Sequence, residues 1–367
     1  MKRTLPIVFL FILIASLCLA SCSKTTPSDN TSKGIGRDPA LVESSNVEEP
    51  GDDTVDSGDT QAPEIKDTET TAPPTDTLDT SSDTTSPVPK NDKIEWTVEN
   101  GKYVYTIPPR DDSGLAALDE MYSYPKTAYE DQPDDWYFGK TSYDETTGTV
   151  TYVWDRYQST LDSMHKYGGI YRGDETRKVA YLTFDCGYEY GATPIILDTL
   201  KEKQCPGIFF LTGYFVRTQH DLIARMLDEG HLVGNHTVNH LRMGNLSVDE
   251  FMSELNGLEE MFHEDFPDAP AMHYYRPPSG NCNEWTFKLA DMMGYKTVMW
   301  SFAYYDYDVN NQPTIEEGLA KTKAALHPGV VYLLHAESMT NANMLGELID
   351  WIRSQGYELL PLCDIDA

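Results

Sequence analysis

The sequence predicts an α/β fold, built from repeated βα units that make a parallel sheet or an irregular barrel. Three observations carry that prediction. From residue 179 onward, strand-like apolar runs alternate with helix-like runs at the spacing of βα units. The first strand, residues 179–184, is apolar, largely β-branched or aromatic, and runs directly into an acid, Asp185, where glycines break the pattern. Polar, reactive residue types then recur at the same end of nearly every strand. In α/β folds that end holds the reacting groups, because the loops there vary while the strand fixes the side chain. Alternation by itself does not choose between an open sheet and a closed barrel.

Taken in order, residues 1–22 read as an export signal: Lys2 and Arg3, an apolar run over 5–19 that is short for a spanning helix, and the ending Leu19-Ala-Ser-Cys22. That ending resembles a bacterial lipobox, which implies cleavage before Cys22 and a lipid on its sulfur. An uncleaved anchor helix is the other reading. Either way the remainder is expected outside the cytoplasmic membrane. Residues 23–93 are Ser, Thr, Pro, Asp and Glu with almost no large apolar side chains. Such a segment cannot offset the entropy of ordering, so a disordered acidic tether is expected. A flexible chain of about 70 residues reaches roughly 45 Å.

The remaining residues, 94–367, suffice for one large domain or one domain with an extension. A net charge of -31 excludes a nucleic-acid binder and a protein held to anionic lipid by basic patches, and points to an uncharged or cationic ligand. Twenty-three Tyr and six Trp lean weakly toward sugars, whose C–H faces stack on aromatic rings, although most such rings serve as core. Residues 94–176 read as an irregular N-terminal extension, with a hairpin over 96–98 and 102–107 followed by Tyr- and Pro-rich loops. Residues 177–367 carry the βα units. Strand-like runs fall at 179–184, 207–211, 232–234, 274–276, 297–300, 330–334 and 357–360, and helix-like runs at 194–203, 221–229, 248–262, 284–293, 315–326 and 345–354.

The chemistry-bearing residues follow these strands. Asp185 ends the first, His236 and His240 follow the third, Arg276-Pro-Pro-Ser-Gly280 the fourth, the segment from Trp300 to Asp306 the fifth, and Leu333-Leu-His335 closes the sixth. Asp185 suits either proton transfer or the cap of the helical run near Thr193. Two histidines four apart on one helical turn would share a face and suit a divalent metal; capping or surface histidines are the other reading. The nearest candidates for a third ligand are Asp185 and Cys186.

Thr183-Phe-Asp-Cys-Gly187, His236-x-x-x-His240, the Arg276 run, the Trp300 to Asp306 segment and Leu333-Leu-His335 resemble, in order, the five motifs of the NodB-type polysaccharide deacetylases, carbohydrate esterase family 4. Within it, Thr-Phe-Asp-x-Gly-Tyr-Glu-x-Gly, Arg-Pro-Pro-x-Gly, Trp-Ser-x-Ala and Tyr-Leu-Leu-His, with Trp136-Tyr-Phe upstream, are similar to the muramic-δ-lactam-forming peptidoglycan de-N-acetylases. The resemblance covers residues 177–362. It implies a distorted (β/α) barrel and metal-assisted amide hydrolysis. It also implies roles: His236 and His240 as ligands of a divalent metal, Asp185 as general base tuned by Arg276, and His335 as general acid kept charged by Asp306. The Ser279 backbone N–H is implied at the oxyanion, with Leu333 and Trp300 lining the substrate pocket.

Most of the family carries a second Asp, a metal ligand, where this chain has Cys186, and the lactam-forming subgroup typically carries Asn. A thiolate there would favour zinc over calcium or magnesium. Three readings stay open: Cys186 as ligand, Cys186 as bystander, or a disulfide with Cys282. Beyond the signal, Cys186, Cys205, Cys282 and Cys363 remain, and sequence does not fix their pairing. Tyr307 stands where the family usually has Trp. The expected protein is a lipid-anchored, extracytoplasmic, monomeric deacetylase of N-acetylmuramic acid in the vegetative or spore wall. The alternatives are a deacetylase of N-acetylglucosamine or another acetylated polysaccharide, and a catalytically inactive glycan-binding lipoprotein.

Overall fold

Two residues, Asn100 and Gly101, explain the first element. Both adopt left-handed backbone (φ 53° and 80°), the requirement of a two-residue hairpin turn whose twist matches its strands. They join β1 (Glu95–Glu99) to β2 (Lys102–Thr106) in antiparallel register, as the sequence leads one to expect. The computed structural model describes residues 93–124, 134–135, 141–144, 146–147, 149–152 and 158–366. The expected export signal, Cys22, the expected tether up to residue 92 and the 136–138 aromatic run lie outside them. Among the described residues no helix is long and apolar enough to cross a membrane.

Short strands β3 (Asp134–Asp135), β4 (Thr141–Asp144) and β5 (Thr149–Tyr152) follow, β4 and β5 as an antiparallel pair, and then a helix at Gln158–Lys166. The βα units then begin with β6 (Val179–Cys186), followed by β7 (Ile208–Leu211), β8 (Leu232–Asn235) and β9 (Tyr274–Tyr275). After them come β10 (Asn281–Cys282), β11 (Lys296–Thr297), β12 (Val330–His335) and β13 (Glu358–Leu359). A parallel sheet runs β11-β9-β8-β7-β6-β12, with β13 joining the start of β6, while β10 pairs antiparallel with β3. Each expected helical run is present, at Ala192–Glu202, His220–Asp228, Val248–Asp265, Glu284–Met292, Ile315–Ala324 and Met339–Ser354. Ser247, Asn283 and Thr314 open three of them with reciprocal capping boxes, which satisfy backbone N–H groups that the first turn leaves unpaired.

Strand alternation sorts β6 into two cores. Ala180, Leu182, Phe184 and Cys186 face the helices, where Ile196, Leu197, Leu345 and Ile349 cover them. Val179 and Tyr181 face inward with Phe210, Tyr274, Val298, Trp300 and Leu333, a second core inside the curl of the sheet. That inner core makes the fold a distorted barrel. Closure is irregular, because the expected strand over 297–300 leaves its ladder after Thr297. Instead Ile170 accepts from Met299 N–H (2.6 Å), Ser301 N–H donates to Val331 O (3.0 Å), and Phe302 bridges Tyr332 in parallel. The seam between β11 and β12 is therefore stitched by single bridges.

Candidate active site at the carboxyl end of the strands

Asp185 and His335 are register partners at the ends of β6 and β12, so the sheet itself sets the two side by side. Asp185 points inward, opposite in the pleat to Phe184 and Cys186. Its Oδ1 accepts from Arg276 Nη1 (2.7 Å), and its Oδ2 lies 3.5 Å from His236 Nε2. Burial opposes the carboxylate, but Arg276, then His236 and His335, outweigh it and hold the pKa below the usual range. Arg276 is completely buried and fixed at every nitrogen: Nε donates to Val298 O (3.1 Å) and Nη2 to Met299 O (3.1 Å). The irregular seam thus supplies carbonyls that a continuous ladder would consume. Phe210 lies under the guanidinium at 4.2 Å, and Gly234 makes room for it, since a Cβ there would stand 2.6 Å from the Phe210 ring.

His236 and His240 come together, their rings 5.0 Å apart and edge to face, but not on a helical turn as expected. Asn235 Oδ1 accepts from Thr237 N–H (2.9 Å), and Thr237 and His240 take left-handed backbone (φ 70° and 56°), which folds residues 236–240 into a loop. His236 Nδ1–H donates to Arg276 O (2.8 Å), leaving Nε2 as the free nitrogen on the Asp185 side. Burial pulls the His236 pKa down, and that of His240 as well, although His240 is exposed along one edge. His236 is thus buried without a proton on Nε2 and keeps a lone pair there for a metal, and His240 stands beside it within reach of the same ion.

Those donors fit a divalent ion: two imidazoles, one oriented by its second nitrogen, beside an ionised carboxylate. A third protein donor from Cys186 does not fit. β6 runs two residues past the expected strand end, pairing Cys186 with Leu211, so the pleat turns the thiol into the helix-facing core, fully buried. Burial, with Glu337, Asp185 and Glu189 nearby, raises its pKa far above the ordinary value and keeps it a thiol. The disulfide reading fails as well, since Cys186, Cys205, Cys282 and Cys363 are all free. Among the described residues no three His, Cys, Asp or Glu side chains close as a formed ligand set; His236, His240 and Asp185 are neighbours short of one.

His335 Nδ1–H donates to Asp306 Oδ1 (2.7 Å), and its backbone N–H to Asp306 Oδ2 (2.9 Å). Asn341 Nδ2 also donates to Oδ2 (2.5 Å), so the buried Asp306 is fully engaged. Burial works against charge on His335, but Asp306 more than offsets it and pushes the pKa up to about 9. Ser279 is exposed on the loop after β9 in left-handed backbone (φ 54°), at the same barrel end. Trp300 and Leu333 belong to the inner core, with Trp300 beside the Arg276 guanidinium at 5.7 Å. Two residues escaped the sequence reading. Asn341 sits on the following helix with no motif to mark it. Glu337, two residues past His335, had a signal: an acid at a strand end. Its Oε2 is buried without a partner, and burial pushes its pKa up to about 7 despite the opposing His335 charge.

The polysaccharide deacetylase family matches residues 172–298. The peptidoglycan-N-acetylmuramic acid deacetylase PdaA of Bacillus subtilis is 39% identical over 202 residues, 55% of this chain and 76% of the relative. A peptidoglycan-N-acetylglucosamine deacetylase of Bacillus cereus is 32% identical over 193 residues, 51% of this chain and 88% of the relative. The solved structure of Bacillus subtilis PdaA, a family 4 carbohydrate esterase, superposes with a TM-score of 0.59 at 35% identity, covering 64% of this chain and 96% of that one. With the strand-end constellation already in place, the chain belongs to the polysaccharide deacetylase family, the family 4 carbohydrate esterases.

Proposed function

We propose that the protein is an extracytoplasmic peptidoglycan N-deacetylase that removes acetyl from N-acetylmuramic acid, a step toward muramic δ-lactam. The observation that carries this reading is the pairing of Asp185 with Arg276 and of His335 with Asp306 on register partners of adjacent strands. A carboxylate held ionised and an imidazolium held protonated face one another, the two proton-transfer states that amide hydrolysis requires. A divalent metal on His236 and His240 would polarise the acetamide carbonyl and acidify a water. Asp185 takes the proton of the water whose oxygen bonds to the carbonyl carbon. His335 Nε2 gives its proton to the sugar nitrogen as the C–N bond breaks, and acetate leaves. Arg276 cannot lose its proton, so it only fixes Asp185; the Ser279 N–H, Leu333 and Trp300 are assigned to carbonyl and acyl positioning.

Domain organisation belongs to the same proposal: a lipidated Cys22, a tether over 23–93, an extension over 94–176 and a deacetylase domain over 177–367. A second reading, an inactive glycan binder, draws on one observation, the turning of Cys186 away from the histidines. Incubating the protein with defined glycan strands, and identifying by mass spectrometry the sugar that loses acetate, tests both. Loss from N-acetylmuramic acid is expected. Loss from N-acetylglucosamine alone moves the substrate to the alternative, and no loss with any divalent ion supplied leaves the binder.

A further inference from the structure

Arg110 lies in the N-terminal extension, yet a chain of hydrogen bonds leads from its guanidinium to the loop that carries His236 and His240. Its Nη1 donates to Glu259 Oε2 (2.8 Å) and to Met272 O (2.9 Å), and the guanidinium covers the Tyr295 ring at 4.1 Å. The Tyr295 hydroxyl donates to the same Glu259 oxygen (2.7 Å) and accepts from Asn235 Nδ2 (3.3 Å). Asn235 Oδ1 in turn accepts from Thr237 N–H (2.9 Å), and the Thr237 hydroxyl accepts from His240 N–H (3.0 Å). Tyr295 and Asn235 are 1% and 0% exposed, so a missing link leaves a buried polar group unpaired.

We infer that Arg110 is a positioning residue for the metal loop: through Glu259 and Tyr295 it fixes the amide of Asn235, and with it the left-handed turn that brings His236 and His240 together. This rests on the metal-assisted reading above and adds the extension to the machinery that sets the ligands.

The ends of the chain decide the direction of every bond in it. A guanidinium only donates and a carboxylate only accepts, so Tyr295 gives its proton to Glu259 and offers Asn235 an oxygen. Asn235 must then turn its NH2 to Tyr295 and its carbonyl oxygen to Thr237. Reversed, the amide would set an NH2 against Thr237 N–H, and the turn over 236–240 would lose its anchor. Leu255 O accepts from the same NH2 (2.9 Å), so the Tyr295 oxygen is one of two acceptors and its loss loosens the amide without freeing it. Glu259 cannot swing away from Tyr295, because its other oxygen accepts from Met272 N–H (2.9 Å). The extension is admitted by Gly294, at φ 77°, where a Cβ would stand 2.4 Å from Asp111 O and 2.6 Å from Arg110 Cγ.

The test uses the full chain with Arg110→Met, Arg110→Lys and Tyr295→Phe. Tyr105→Phe is the control, since it cuts another contact of the extension, the bond from its hydroxyl to Gly230 O. Hydrogen exchange on the metal-free protein reads the loop directly. Amides of residues 236–240 should exchange about three- to ten-fold faster in Arg110→Met and Tyr295→Phe, the effect of one buried hydrogen bond, and zinc affinity by calorimetric titration should fall by a similar factor. Arg110→Lys keeps a donor for Glu259 and should recover most of both, while Tyr105→Phe should match the wild type. Combining Arg110→Met with Tyr295→Phe should lose little more than either alone, because both cut one chain. Wild-type exchange in Tyr295→Phe would overturn the inference, and that variant decides alone if Arg110→Met does not fold. Losses that add in the double variant would overturn it too, as would a Tyr105→Phe protein as impaired as Arg110→Met, for the extension would then act through general stability. Should the wild type release no acetate, the deacetylase reading fails by itself, and exchange on the metal-free protein still decides whether Arg110 positions the loop.

Discussion

Two carboxylate–cation pairs meet at the mouth of this barrel, and their differences say more than their similarity. Asp185 and Arg276 are buried to 5% and 0% exposure, with the guanidinium locked to Val298 O and Met299 O. Asp306 and His335 are joined by a bond of the same length, 2.7 Å, yet the His335 side chain keeps 22% of its surface exposed. In the first pair the cation cannot titrate, so the pair holds a permanent proton acceptor. In the second the cation is the titratable member, and the carboxylate serves to keep it charged. Matched contacts thus produce opposite functions because one partner is an arginine and the other a histidine.

The comparison breaks most severely if either titrating member is removed. Asp185→Asn and His335→Ala are each expected to lower kcat by about two to four orders of magnitude. Acetate release near the wild-type rate from either would refute the division of roles. Arg276→Met separates the pairs on stability. Leaving Asp185 buried without its cation should cost about 3–5 kcal/mol, read by denaturant unfolding. A loss under 1 kcal/mol, set beside that range, would mean that Asp185 does not depend on Arg276 for its charge.

pH separates the pairs next. Asp306, Glu337 and Asp185 all face His335, and its pKa stands at about 9 against burial. As a proton donor it is competent below that value, so kcat should fall about ten-fold per unit as pH rises through about 9. The sign for stability is the same: the pair's contribution is complete below the ordinary histidine value of about 6.5 and is lost as pH rises through the raised one. Asp306→Asn should move the alkaline limb of the profile to lower pH. An unmoved limb would assign it to another group.

Strand ends and motif order made the candidate site legible: Asp185, Arg276 and His335 each lie where a strand runs out, and the resemblance to the five family motifs implied their roles. What was illegible depended on backbone detail. The four-residue spacing of His236 and His240 reads as a helical turn, and only the Asn235 side chain with two left-handed residues makes it a loop. The strand over 297–300 has the right composition but its ladder with β9 ends at Thr297, because the next donor would be Pro277, which has no N–H, and the Arg276 side chain takes Val298 O instead. Asn341 carries no signal, since its significance lies in what the helix after β12 brings to Asp306, whereas Glu337 offered one, an acid just past a strand end. The glycine at 187 marked the strand end too early, so the pleat that turns Cys186 into the helix-facing core, and with it the choice among ligand, bystander and disulfide, was not legible.

The smallest predicted effect follows from that correction. A thiol at position 186 that ligated metal would be a thiolate facing His236 and His240; the observed one sits with Phe184 and Leu182 beneath the helices. Cys186→Ala should therefore remove a small buried volume, cost roughly 1 kcal/mol and leave metal content unchanged, while His236→Ala should empty the site. Cys186→Asp, which would rebuild the commoner family sequence, should not improve metal binding as long as the pleat holds, because it places a carboxylate in an apolar core. Metal analysis by mass spectrometry, with unfolding curves on the same three proteins, reads both effects. Loss of metal from Cys186→Ala with unfolding unaltered would return the thiol to the ligand shell. It would also mean that β6 ends at Asp185 when a metal is bound.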